Sequence, residues 1–269
     1  MNYTEFMNAM LCEIRGQVDA QVRTELYTVT KNNGTRRTGI LFKQEDSNLA
    51  PTIYLEEFYQ KYLKGQQVPD LADSICSIYQ EIRVKKTCDC QNLFDFNHVK
   101  EHIVYKLIRR DANEELLKQI PYEPFLDLAV VYYIQIDNTR FGSAAIQIRN
   151  EHLRYWRVEK EEIRRLAEKN TPRIYPVQIV RFMYVATNEQ CSLGAAVMRY
   201  PDFREKVRGM IRGDFYILPS SIHEVILVPE SFGLEPERMQ EMVKEINQTG
   251  VAPEEVLSDS VYYFDGEEI

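Results

Sequence analysis

From residue 125 onward, β-rich runs come in pairs, and a segment with helical period follows each pair. Residues 125–136 form a long apolar run whose hairpin mate is 143–148, across a turn at 137–142. A helix is predicted over 159–169, with Ile163 and Leu166 inward. Residues 177–186 and 194–200 make the second pair, and a helix over 202–211 turns Phe203, Val207 and Ile211 inward. The third pair is 214–218 and 223–228; its helix, 236–246, turns Met239, Met242, Val243 and Ile246 inward. A short turn at 253–257 and a last strand at 261–264 follow. Residues three and four apart share a helix face, and alternate residues share a strand face. Hairpin-linked strands with helices between pairs predict an α+β fold of strand–strand–helix units: mostly antiparallel sheet, with helices collected on one face.

The N-terminal part adds a fourth unit. Residues 3–15 place Phe6, Met10, Leu11 and Ile14 at helical spacing, with Thr4 as the expected cap. Residues 22–30 and 38–43 flank Asn32-Asn33-Gly34. Asn-Gly between β-rich runs is a hairpin signal, because both residues tolerate positive φ. Residues 52–63 read as one helix with Leu55, Phe58, Tyr59 and Tyr62 on a stripe, and Pro69 opens another over 70–84. Residues 85–97, KKTCDCQNLFDFN, break every period. The expected organisation is an N-terminal part at 1–84, a linker at 85–97 and a C-terminal α+β domain at 98–269. Residues 98–108 fit a helix through Val99, Ile103 and Leu107, and equally a strand through Ile103, Tyr105 and Leu107. A short helix over 113–119 closes at Pro121.

Several phrases occur together along the chain: Ile103-Val-Tyr-Lys-Leu107, Asn113 with Leu116-Leu117, Phe125-Leu-Asp-Leu-Ala-Val-Val131, and GDFYILPSSIHEVI at 213–226. EEVLSDSVY at 254–262 joins them. As a set they resemble an uncharacterised bacterial family of unknown function, typical of anaerobic gut Gram-positive species. The resemblance covers nearly the whole chain and is strongest at 213–226. A second likeness, through 128–133 and 151–170, is to another uncharacterised bacterial family with a tryptophan, a helix and an Ala-x-x-Asn segment. These resemblances imply a bacterial, cytoplasmic α+β protein. They carry no assigned activity, cofactor or catalytic residue.

Composition narrows the partners. The 269 residues are 44% hydrophobic, enough to bury a core without disulfide staples. The net charge of -8 repels phosphate, so neither nucleic acid nor an anionic membrane is an expected partner. Basic pairs at Arg36-Arg37, Lys85-Lys86, Arg109-Arg110 and Arg164-Arg165 are scattered. Nucleic-acid binding would require Arg36, Arg37, Arg164 and Arg165 to converge. Five cysteines without a regular framework suit reduced thiols. The start, MNYTEFMNAM, has no basic run of a secretory signal, and the longest apolar run, 128–134, is too short to span a bilayer. A cytoplasmic protein is expected. Nothing in the sequence sets its oligomeric state.

Three groups of residues carry possible chemistry. His98-Val-Lys-Glu101-His102 has the inverted zinc-protease spacing: on a helix both imidazoles would meet one Zn²⁺, with Glu101 as base and Glu114, Glu115, Glu161 or Glu162 as third ligand. Cys88 and Cys90 with His98 and His102 would make four ligands for a structural zinc; zinc is the one cofactor with any ligand pattern here. Against both stands a solvated helix start beside reduced thiols. Ser220, Ser221, His223 and Glu224 bring hydroxyl, imidazole and carboxylate close, yet no glycine allows a sharp nucleophile turn. The plainer expectation is a turn at Pro219-Ser220-Ser221 whose serines bond local backbone. Asp127 is either a strand-entry residue or a buried carboxylate paired with Arg149 or Arg181. Leu153, Tyr155, Trp156 and Val158 are expected to wedge between sheet and helix. No P-loop, dinucleotide fingerprint or helix-turn-helix is present. The expectation is a non-enzymatic module that binds another protein or regulates it, with a metal-dependent or serine-type hydrolase as the alternative.

Overall fold

The computed structural model describes residues 1–44, 50–85, 95–139, 142–180 and 184–265, with side chains except at 82–85, 137–139, 142–144, 180 and 220. Its contacts divide the chain into two compact units. Unit 1 comprises Met1–Lys31 and Thr35–Leu93; unit 2 comprises Asn32–Gly34 and Phe94–Ile269. Most of the expected linker, residues 86–94, lies outside the described residues.

Unit 1 contains α1 (Tyr3–Gln17), β1 (Val22–Thr30), β2 (Arg36–Gln44), β3 (Thr52–Tyr54), α2 (Glu56–Leu63) and α3 (Val68–Lys85). The strands form an antiparallel sheet in the order β1-β2-β3. Asn2, not Thr4, caps α1: its side chain accepts the Glu5 N–H while the Glu5 carboxylate accepts the Asn2 N–H, a reciprocal capping box. The expected helix over 52–63 divides, because Thr52-Ile53-Tyr54 pairs with β2 and only Glu56 onward is helical. Gly39 permits that pairing; a Cβ there would lie 2.5 Å from the Ile53 carbonyl oxygen. Phe6, Met10 and Ile14 of α1 pack with Ile40 and Phe42 of β2 and with Leu71 and Ile75 of α3. Phe42 stacks on Tyr79 at 4.2 Å between ring centroids.

Unit 2 begins with α4 (Phe96–Val99), β4 (Ile103–Arg109), α5 (Glu114–Leu117), β5 (Tyr122–Phe125), β6 (Leu128–Thr139) and β7 (Gly142–Gln147). It continues through α6 (Asn150–Trp156), α7 (Lys160–Ile174), β8 (Val177–Val180), β9 (Val185–Asn188) and α8 (Phe203–Arg208). It ends with β10 (Phe215–Ser221), β11 (Glu224–Pro229), α9 (Pro236–Thr249) and β12 (Tyr262–Phe264). One sheet runs β4-β6-β5, with β7 also paired to β6; the other runs β12-β10-β11-β9-β8. Every strand pairing among the described residues is antiparallel. The protein is α+β, as the paired runs imply.

The ambiguity at 98–108 resolves into a strand from Ile103. Neither simple period accounts for this strand, since Ile103, Val104, Tyr105, Leu107 and Ile108 are all buried. A strand covered on both faces loses its alternation. Two polar residues of α7 hold its start. Asn170 Nδ2 donates to the Lys100 and Ile103 carbonyls at 2.8 and 3.0 Å, and Thr171 Oγ1 accepts the Tyr105 N–H at 3.1 Å. Both residues are buried, and they sit where an amphipathic reading would end the helix; α7 instead runs on through Pro172.

Two further expectations change. The run at 177–186 is not one strand but parts of β8 and β9, which pair with each other. Residues Gly194–Arg199, expected to be the mate, form a 3-10 helix with Gly194 to Met198 all buried. The third hairpin turns at Ile222-His223 rather than at Pro219-Ser220-Ser221. Ser221 pairs with Glu224, and the ladder is irregular between Leu218 and Ser221.

Candidate functional site

The zinc reading does not find its helix. α4 ends at Val99, Lys100–His102 wind as a 3-10 turn, and β4 begins at Ile103. The tighter winding takes His102 off the face of His98. His98, Glu101 and His102 are all exposed, and Arg173 Nη2 donates to the Glu101 carbonyl at 2.9 Å. Glu114 and Glu115 lie on α5 and Glu161 and Glu162 on the first turn of α7. Among the described residues no group of three or more His, Cys, Asp or Glu is placed to hold a metal ion. Cys88 and Cys90 lie outside the described residues.

The hairpin turn is a structural junction. His223 Nδ1 accepts the Leu193 N–H at 3.1 Å, so the ring proton sits on Nε2, which faces Glu255 Oε1 at 3.4 Å. The Ser221 hydroxyl accepts the His223 N–H at 3.0 Å. The His223 carbonyl accepts from Thr187 Oγ1 at 2.7 Å. Ile222 donates its N–H to the Glu255 carbonyl and accepts the Ala195 N–H. This imidazole has no lone pair turned toward a nucleophile. The Ser220 side chain lies outside the described set, and Glu224 opens β11.

Asp127 has neither expected arginine. Its Oδ2 accepts from the hydroxyls of Ser258 and Ser260, and its Oδ1 accepts from Tyr262. Arg149 bonds Gln119 Oε1 at 3.0 Å instead, and Arg181 lies outside the described residues. Three hydroxyl donors do here what a cation was expected to do. Burial and the Asp127 carboxylate together push the Tyr262 phenol far up. Nearby, Arg109 bonds Asp111 through Nε and Nη2 at 2.7 and 3.1 Å and Asp259 through Nη1 at 2.9 Å. Asn33, at φ 56°, donates its amide to the Pro253 and Val256 carbonyls, each at 2.8 Å. Asn33, Arg109 and Asp111 line a cleft of about 550 Å³ with Asn247 and Gln248. Its charges are already paired with one another.

Trp156 is half-buried, tilted against Phe96 at 5.7 Å and His152 at 5.4 Å. Tyr155, expected to wedge beside it, is exposed.

The other flank of α9 is different in kind. Met239 and Val243 are buried against Leu218, but Met242 and Ile246, which the sequence reading turned inward, are 39% and 41% exposed. Leu234 is 43% and Phe232 63% exposed. Leu218, Ile226 and Val228 from the β10–β11 hairpin face Leu234, Met242 and Ile246 across a purely apolar groove of about 120 Å³. Reasoning from the sequence missed this surface because α9 has too many apolar positions for one stripe. At 100° per residue, the buried positions 239, 243 and 247 centre the inward face, and position 242 falls about 100° from that centre. No local signal announces it: Asn247, a polar residue, is buried while Met242 and Ile246 are not.

The antiparallel sheets and helices define an α+β protein, and no described helix is long and apolar enough to cross a membrane. The chain belongs to the family of unknown function DUF5688, whose profile matches residues 3–182 and 180–266. No curated protein and no solved structure matches it.

Proposed function

We propose that this chain is a non-enzymatic protein-binding module, regulatory in role, whose contact surface is the apolar groove between α9 and the β10–β11 hairpin. The observation that carries the reading is the exposure of Met242, Ile246 and Leu234 around one concavity. An apolar cluster left in water costs free energy that burial elsewhere could have removed, so such clusters mark contact surfaces. Methionine suits the task, because its flexible thioether adapts to different partner shapes. The polar groups that chemistry would need are spent on structure: His223 on a turn, Asp127 on three hydroxyls, Arg109 on two carboxylates. Free thiols at Cys12, Cys76 and Cys191 suit the reducing cytoplasm, the compartment we assign.

The test compares cross-linked partners of the wild-type chain with those of the Met242→Asp/Ile246→Asp double variant. Both positions are substantially exposed, so the variant should keep its melting temperature while losing the partner. Retention of the same partners by a folded double variant sinks the reading.

A further inference from the structure

Resting on that reading, we infer that the groove takes a cationic amphipathic helix of a partner protein, with its apolar stripe on Met242 and Ile246 and its Lys or Arg flanks on surrounding glutamates. The argument is charge complementarity. Between positions 230 and 249 there are five glutamates, Glu230, Glu235, Glu237, Glu241 and Glu245, against two cations, Arg238 and Lys244, and all seven are exposed. Arg238 is held by Glu241 at 3.0 Å, and Lys244 acts on Asp259, toward the polar flank of α9. Glu235, Glu237 and Glu245 have no ion pair among the described residues.

The placement of the acids matters as much as their number. Glu224 shares the face of β11 that carries Ile226 and Val228, and Glu230 follows directly after that strand. Glu235 precedes the first turn of α9, and Glu245 adjoins Ile246. Carboxylates thus stand at both ends of the apolar floor and Glu245 beside it, while Arg238, one turn before Met242 on the same stripe, is paired with Glu241. Met242 and Ile246 stand one turn apart, the spacing against which a second helix packs its own ridges. Lysine and arginine flanks would meet the rim while the stripe fills the groove, the helix-in-groove mode of recognition.

The same rim disfavours the other occupants. Phosphate-bearing surfaces, whether lipid or nucleic acid, meet negative charge. A second copy of the chain docking face to face would set this rim against itself, since a two-fold contact pairs each patch with its own kind.

The experiment uses the intact chain and three fluorescein-labelled peptides of about five helical turns: a Lys/Leu amphipathic helix, a Glu/Leu helix with the same stripe, and a shuffled Lys/Leu sequence without a stripe. Anisotropy should show the Lys/Leu helix binding at least about tenfold more tightly than either other peptide, with affinity falling as salt rises from about 50 to about 300 mM. Glu235→Lys/Glu245→Lys should weaken the Lys/Leu helix by about tenfold and favour the Glu/Leu helix, while Met242→Asp/Ile246→Asp abolishes both. Binding of the Glu/Leu helix equal to or above that of Lys/Leu, lost on Met242→Asp/Ile246→Asp, overturns the cationic partner and leaves the groove standing. Peptide binding indifferent to Met242→Asp/Ile246→Asp overturns both. Equal binding of the shuffled peptide, binding of none, or a dimer in light scattering that the same double variant dissolves, each overturns the proposal.

Discussion

His223 holds Leu193: the imidazole Nδ1 accepts the Leu193 backbone N–H at 3.1 Å, and Leu193 sits at φ 54° just before the 3-10 helix Gly194–Arg199. A side chain on a hairpin turn thereby satisfies an otherwise orphaned donor at a helix start. Asparagine can place its Oδ1 near the position of Nδ1, whereas leucine fills the space without an acceptor. His223→Leu should cost about 1–3 kcal/mol and His223→Asn clearly less, by urea denaturation. Equal losses would mean that the ring's packing, not its acceptor, secures the turn.

Gly194 lies at the same junction. A Cβ there would fall 2.0 Å from Thr187 Oγ1, 2.4 Å from the His223 carbonyl and 2.8 Å from the Asn188 nitrogen. Gly194→Ala should therefore destabilise by about 3 kcal/mol or more, through overpacking. Thr187→Ala should not rescue it, because two of the three obstacles are backbone. Full rescue in thermal melts would show that the junction yields more than this geometry allows.

Arg109 sets an acid-stability limb. Its bidentate hydrogen bonds hold the Asp111 carboxyl below the ordinary carboxylate range. Burial raises the Asp259 carboxyl, but hydrogen bonds from Asn247 and Arg109 outweigh it and the net shift is downward. Groups with depressed folded values contribute stability that is fully present above about pH 4 and is lost as pH falls through the folded values. Urea midpoints should fall from pH 5 toward pH 2, more steeply in the wild type than in Arg109→Met. Parallel curves would remove Arg109 as the cause.

His152 should titrate low. Burial first, then the Arg149 charge, lower its pKa, and its Nδ1 accepts the Arg149 N–H at 3.1 Å at the start of α6. A depressed histidine contributes stability fully present above about pH 6.5, declining as pH falls toward the folded value. The His152 ring proton should show an NMR midpoint below about 6.5, and the protection of the Arg149 amide against exchange, relative to its intrinsic rate, should fall over the same range. A midpoint at or above that value would contradict the assigned environment.

Much of the fold was legible along the chain. The β1–β2 hairpin followed from Asn32-Asn33-Gly34, and α3 and α9 from proline starts and apolar spacing, because those signals act between neighbours in sequence. The errors have a common cause. Residues 52–54 joined a sheet because Gly39, on another strand, left room for the Ile53 backbone. Residues 194–199 became a 3-10 helix because Gly194 had to fit against Thr187 and His223. Asn170 and Thr171 entered the core because β4 needed partners for its backbone.

The candidate surface divides in the same way. Local sequence determined that α9 is a helix with Met239 and Val243 inward, since periodicity is a property of the chain alone. Only the tertiary structure decided that Met242 and Ile246 stay exposed while Asn247 is buried. That outcome depends on where the β10–β11 hairpin ends beneath the helix and on the Ser258 and Asp259 groups that take Asn247's amide. Contacts between residues distant in sequence carry no periodic trace, so packing, not pattern, chose which apolar side chains face water.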